Sequence, residues 1–142
     1  MPNWCDNKLR VSGTATDVKR FAEAVRGVDD GKVLPLDFDK LIPQPADLMD
    51  RDSCGVLPSW YDWRVANWGT KWNVTEDTAI EPFDGGLLYL FNTAWNPPIE
   101  VIEVAAKQFP DLAFEISYIE EDEQVEHIHR FNTKGEPKCF TV

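Results

Sequence analysis

Asn7-Lys8-Leu9-Arg10-Val11-Ser12-Gly13, followed at once by Thr14-Ala15-Thr16-Asp17-Val18, changes its hydrophobic period in mid-stretch. Leu9 and Val11 alternate with Lys8, Arg10 and Ser12, the period of two that a half-buried strand requires. Thr14 to Asp17 then supply a capping-box-like start, and Val18, Phe21, Ala22 and Val25 recur at i, i+3, i+4 and i+7. The reading is strand one followed by helix one, with Gly27 placed to end the helix. A strand that feeds a helix directly is the first half of a βαβ unit, so the rest of the chain must show what completes it.

After the polar turn Asp29-Asp30-Gly31, Leu34 to Ile42 reads as a second strand, closed by Pro43 and Pro45. An insertion spanning about 43–75 follows. Ala79 to Phe83 and Leu87 to Thr93 flank the turn Asp84-Gly85-Gly86 and predict a hairpin, whose apolar run Leu87-Leu88-Tyr89-Leu90-Phe91 suits a central strand. Asn96 is read as a helix cap with Pro97 in the first turn, and Ile99, Ile102, Ala106 and Phe109 form the buried stripe. Pro110 stops that helix. Leu112, Phe114, Ile116 and Tyr118 alternate as another strand before the acidic turn Glu120-Glu121-Asp122-Glu123. Val125 to Phe131 and Lys138 to Val142 predict a last hairpin about Thr133-Lys134-Gly135.

This order is strand, helix, strand, then strand, helix, strand. It predicts a single α+β domain over 1–142, a ferredoxin-like βαββαβ sandwich with an antiparallel sheet and two helices on one face. The Trp-rich insertion and a C-terminal extension from about 120 to 142, carrying a β-hairpin, are additions to it. The opposite sheet face must be solvated or covered, and the insertion is the expected cover.

Four of the chain's six tryptophans fall between Trp60 and Trp72. Ser59 is placed to cap a short helix through Asn67, with Gly69 as its terminator. One reading of the segment is a recognition platform, with Trp rings for partner burial and Arg64 and Lys71 for charge contact. The other is a satellite core, which is favoured because clustered aromatic rings usually bury each other. A mixed arrangement puts Trp60 and Trp63 inside and Trp68 or Trp72 at a rim.

A length of 142 residues supports a core without staples. Three cysteines, Cys5, Cys54 and Cys139, make an odd count without a CxxC pair, so the expectation is reduced thiols and neither disulfides nor structural zinc. No apolar run is long enough to span a bilayer, and no secretory signal is visible, which makes the cytoplasm the expected compartment. Against 14 basic residues stand 25 acidic ones, a formal net charge of -11. Such a balance opposes binding to phosphate backbones and favours solubility or a basic partner.

Three separated motifs appear in order: Pro2-Asn3-Trp4-Cys5-Asp6-Asn7, then Trp63 through Trp68-Gly69-Thr70-Lys71-Trp72-Asn73, then Phe91-Asn92-Thr93-Ala94-Trp95-Asn96-Pro97-Pro98. Together they resemble the YubB ferredoxin-like domain family, the Api-type proteins of plasmids and bacteriophages. The resemblance spans nearly the whole chain and implies the ferredoxin-like fold and a mobile genetic element as habitat. It implies no reaction, substrate or catalytic residue.

Other clusters carry weaker chemistry. Cys5 would be a nucleophile only with His127 or His129 beside it; its ordinary reading is a buried thiol at a strand start, with Asn3 and Asn7 satisfying the backbone. His127 and His129, two residues apart on one strand, face the same way and with Glu123 and Glu126 sketch a metal set; an exposed pair is the plainer reading. Asp47, Asp50 and Asp52, and Glu120 to Glu123 with Glu126, match no calcium loop. No catalytic residue, metal or cofactor is assigned. The leading expectation is a non-catalytic accessory protein that binds an unidentified protein partner, with homo-oligomerisation open. Its surface would be Trp60, Trp63, Arg64, Asn67, Trp68, Lys71, Trp72 and Trp95, with Asn96 beside them. The alternative is an acidic DNA-mimicking decoy for a host DNA-binding protein, and a third is an enzyme using Cys5.

Overall fold

The computed structural model describes residues 3–46 and 60–132, and the backbone of residues 139–141. Along the chain come β1 (Trp4–Ser12), α1 (Ala15–Ala24), a small hairpin of β2 (Gly27–Asp29) and β3 (Lys32–Leu34), α2 (Phe38–Leu41) and α3 (Trp60–Asn67). Then follow β4 (Ala79–Phe83), β5 (Gly86–Ala94), α4 (Ile99–Gln108), β6 (Ala113–Glu120), β7 (His127–Phe131) and β8 (Cys139–Thr141). Six strands form one sheet in the order β4-β5-β1-β6-β7-β8, with every neighbouring pair antiparallel.

β1 therefore sits between β5 and β6, and β5 sits between β4 and β1. Each βαβ unit is split by a strand of the other, which defines the ferredoxin-like fold. The alternation of β1 carries through: Cys5, Leu9 and Val11 are fully buried, while Trp4, Asp6, Lys8 and Arg10 are exposed on the other face. α1 packs on β5, and α4 on β6. At the centre Phe21 of α1 meets the rings of Tyr89, Phe109 and Phe114 edge-on at centroid distances of 6.0, 5.1 and 5.4 Å. Burying a side chain of that size stabilises the fold by about 1.5–3 kcal/mol.

Helix α1 starts where its sequence directs: the Thr14 hydroxyl accepts from the Asp17 amide at 3.1 Å. It ends at Val25 and not through Gly27, which lies in β2. A Cβ at position 27 would strike the Asp37 carboxylate, so the glycine serves close packing. The cap read at Asn96 is also corrected. α4 begins after Pro98 with no side-chain cap, and the Asn96 carbonyl instead accepts from the Thr93 hydroxyl at 2.7 Å.

The largest correction concerns Leu34 to Ile42, which adds no strand to the main sheet. Pro35 has no amide to continue a ladder. The Asp37 carboxylate accepts from the Asp39 amide at 3.0 Å and caps α2, whose Phe38 and Leu41 turn inward at helical spacing. The second strand of the fold is β4. The insertion thus lies within the first βαβ unit and does not separate two halves.

The expected cover of the open sheet face is corrected too. The Trp segment packs on the helix side, where α3 meets α4, and the C-terminal strands lengthen the sheet at the β6 edge. Arg10 and Arg130 flank Glu115 on the open face, at 3.6 and 2.8 Å. Strand one also starts earlier than Asn7, so the Asn3 to Asn7 motif belongs largely to β1. Ser59, Cys54, the Asp47 to Asp52 group and the turn at Thr133 to Gly135 lie outside the described residues.

Candidate functional site

The Trp60 to Trp72 segment divides into an anchor and a rim. Trp68 is the anchor, 1% exposed, with its ring edge-on to Phe38 and Trp63 and its indole N–H donating to the Ile42 carbonyl at 2.9 Å. Its N–H is satisfied inside the protein, as a buried indole demands. Trp68 therefore leaves the predicted contact surface. The Thr70 hydroxyl donates to the Ala94 carbonyl at 3.0 Å and pins the segment to the end of β5. Gly69, at φ +88°, lets the chain turn after α3 as expected, and its amide donates to the Arg64 carbonyl at 3.2 Å.

Arg64 works inward. Its Nε donates to Gln44 Oε1 at 2.6 Å, and its guanidinium lies 4.9 Å from the Trp68 ring centroid and 5.1 Å from that of Trp60. Burial lowers its pKa from the ordinary arginine value, with Asp39 opposing the shift. Asn67 donates to the Trp63 carbonyl at 2.8 Å, and Trp60 and Trp63 are half-buried. Of the predicted residues, Trp60, Trp63, Arg64, Asn67 and Trp68 hold the insertion together. Lys71, Trp72 and Trp95 reach the surface.

Trp72 by its ring and Trp95 by its backbone adjoin a residue outside the predicted set, Trp4. The Trp4 and Trp72 rings are 6.0 Å apart, and the Trp95 amide donates to the Asn3 carbonyl at 2.8 Å, beside Trp4. Trp4, Trp72 and Trp95 are 36%, 38% and 48% exposed. Three segments far apart in sequence thus bring indoles to one end of the sheet. The Lys71 ammonium lies over this rim, with Tyr61, 45% exposed, at 6.0 Å. Trp95 adopts φ +68°, a strained left-handed conformation for a bulky residue.

Below the rim, on the open face, a groove of about 490 Å³ lies over β1 and β5 beside the approach to β4. Trp4, Asp6, Lys8, Asp77, Thr78 and Asn92 supply its polar and aromatic lining. The sequence alternation places Lys8 on the outward face, whereas Asp6 joins it only because β1 starts at Trp4 and not at Asn7. Their meeting with Asp77 and Thr78 has no local signal, because it depends on where β4 joins the sheet.

The remaining clusters resolve differently. Cys5 is 0% exposed, and burial pushes its pKa up to about 12. Its thiol faces Asn7 Oδ1 at 3.7 Å, while Asn7 Nδ2 donates to Thr93 Oγ1 at 3.0 Å and to the Cys5 carbonyl at 3.1 Å. This network joins β1 to β5 and withholds from Cys5 the accessible thiolate that a nucleophile needs. His127 and His129 both stack on Tyr118, at 5.0 and 5.8 Å, and His127 pairs with Glu123 at 2.8 Å. Burial, and then the charge of His127, lower the His129 pKa, against Glu100. Among the described residues, no group of three or more His, Cys, Asp or Glu is placed to hold a metal ion. No helix among them is long and apolar enough to cross a membrane.

Residues 67–127, from the end of α3 to the start of β7, match the family described as the ferredoxin-like domain in Api92-like protein. The match contains two of the three rim tryptophans, Trp72 and Trp95, and the strands β4, β5 and β6, and leaves out Trp4 and β1. No curated protein and no solved structure matches the chain.

Proposed function

We propose that this protein is a small, acidic, non-catalytic interaction module of a phage or plasmid, and that it binds a protein partner through the rim of Trp4, Trp72, Trp95, Tyr61 and Lys71. The observation that carries the reading is the convergence of three exposed indoles from separate segments on one end of the sheet. Trp and Tyr dominate binding hot spots because each offers a large apolar face and a polar handle at small entropic cost. A role in packing alone would favour their burial, as it does at Trp68. The habitat rests on the resemblance carried by the three sequence motifs, while the family match of residues 67–127 bears on the ferredoxin-like fold.

The decoy reading asks for a face of free carboxylates. Several acidic groups are committed internally: Asp17 to Arg20, Glu76 to Lys32, Glu103 to Lys107 and Glu115 to two arginines. The rim reading needs no such face.

The test is affinity capture from host lysate by the wild type and by Trp72→Ala/Trp95→Ala, with folding of the variant checked by circular dichroism. The expected result is a specific partner retained by the wild type and lost by the folded variant. Equal capture by both would reject the rim.

A further inference from the structure

We propose that the groove on the open sheet face binds one arginine side chain, presented by an extended basic segment of the protein partner. The inference rests on the partner reading above and adds the chemistry of what is recognised. Its volume of about 490 Å³ falls within the range of sites that enclose a small ligand.

Two carboxylates face the groove, Asp6 from β1 and Asp77 from the approach to β4. Neither forms an ion pair among the described residues, although the neighbouring Glu76 is taken by Lys32 at 3.2 Å. Trp4 stands at the mouth with the same surplus. The Trp72 ring carries the Lys71 ammonium at 4.3 Å, and Trp60 and Trp68 share the Arg64 guanidinium. No cation lies over Trp4 among the described residues. An indole face without a cation, beside two carboxylates without an ion pair among the described residues, is complementary to a planar guanidinium, which stacks on rings and bonds carboxylates in pairs.

Lys8 lines the same groove and offsets one of the two negative charges. One cation is therefore the capacity of the site, and a second would meet repulsion. The net charge of -11 draws basic segments toward the molecule from a distance.

The experiment titrates the ¹⁵N-labelled full chain with a capped tri-arginine peptide at physiological salt and follows amide shifts. Movement centred on Trp4, Asp6, Asp77 and Asn92 is expected. Asp6→Asn/Asp77→Asn should weaken binding by at least about tenfold, since both carboxylates that pair with the guanidinium lose their charge. Glu23→Gln/Glu103→Gln removes equal charge elsewhere and should change it less than about twofold, while Lys8→Gln should tighten it. Absence of movement at the groove, or equal loss in both double variants, overturns the proposal. The two readings separate cleanly. If the peptide fails to bind while partner capture still depends on Trp72 and Trp95, the groove proposal alone falls. If the peptide binds in the groove but capture is indifferent to the rim, the rim reading falls.

Discussion

The Lys71 ammonium stands 4.3 Å from the centroid of the Trp72 ring, and that ring tilts at 42° against Trp4. The contact links the return of the insertion to the first strand of the sheet. It also holds one indole in a fixed pose at the surface, which lowers the entropy lost when a partner docks.

Two tryptophans four residues apart should respond very differently to truncation. Trp68→Ala removes a ring from the core and orphans the Ile42 carbonyl, and a loss of about 3–5 kcal/mol is expected. Trp72→Ala removes an exposed ring and should cost about 1 kcal/mol or less. Urea unfolding of both variants checks the ranking, and similar losses would contradict the division into anchor and rim.

Gly69 and Gly31 both have positive φ, +88° and +77°, but only Gly69 is crowded. A Cβ there would collide with the Glu100 carboxylate, whereas nothing lies within 4 Å of one at Gly31. Gly31→Ala should cost about 1 kcal/mol of backbone strain. Gly69→Ala should cost slightly more, because the exposed Glu100 side chain can swing aside while the Pro97 carbonyl at 3.2 Å stays close, and thermal melts of the pair measure the difference.

Cys5 and Tyr89 should make the fold sensitive to alkali. Burial raises the thiol from 9.0 to about 12 and the phenol from 10.0 to about 12. The native state keeps protons that the unfolded chain releases, so this stability is complete below pH 9 and is lost as pH rises toward 12. Denaturant midpoints should fall across that window, and less steeply for Cys5→Ser/Tyr89→Phe. Native Cys5 should resist iodoacetamide at neutral pH and react once the chain is unfolded, as peptide mapping would show.

The Tyr89 hydroxyl is buried without a hydrogen-bond partner among the described residues. Tyr89→Phe keeps the edge contact with Phe21 and removes the desolvated oxygen. It should raise stability by about 1 kcal/mol. A loss of that size in urea unfolding would mean that the hydroxyl is satisfied.

Leu34, Leu36 and Phe38 show why one element was misread. All three are buried at a spacing of two, the signature of a strand, yet Leu34 ends β3 and the chain beyond it forms a turn and a short helix. The deciding contact comes from afar: the Asn73 side-chain oxygen accepts from the Phe38 amide at 3.0 Å, and its nitrogen donates to Asp37 at 2.7 Å. A partner so distant along the chain leaves no local period to read. The Trp segment was ambiguous for a related reason, since composition cannot say which ring finds an acceptor such as the Ile42 carbonyl.

Local alternation in β1 and β6, the apolar run of β5, the Thr14 cap and the glycine turn at Gly85 were enough to determine the ferredoxin-like class, though with Leu34 to Ile42 standing as its second strand, because periodicity and capping are set by neighbouring residues. Only the tertiary structure decided that β4 is the second strand, that Trp68 is core while Trp4, Trp72 and Trp95 share a rim, and that Asp6 and Asp77 line one groove. Those outcomes depend on which segments meet across the sheet, and pairing between remote segments is a property of the folded chain.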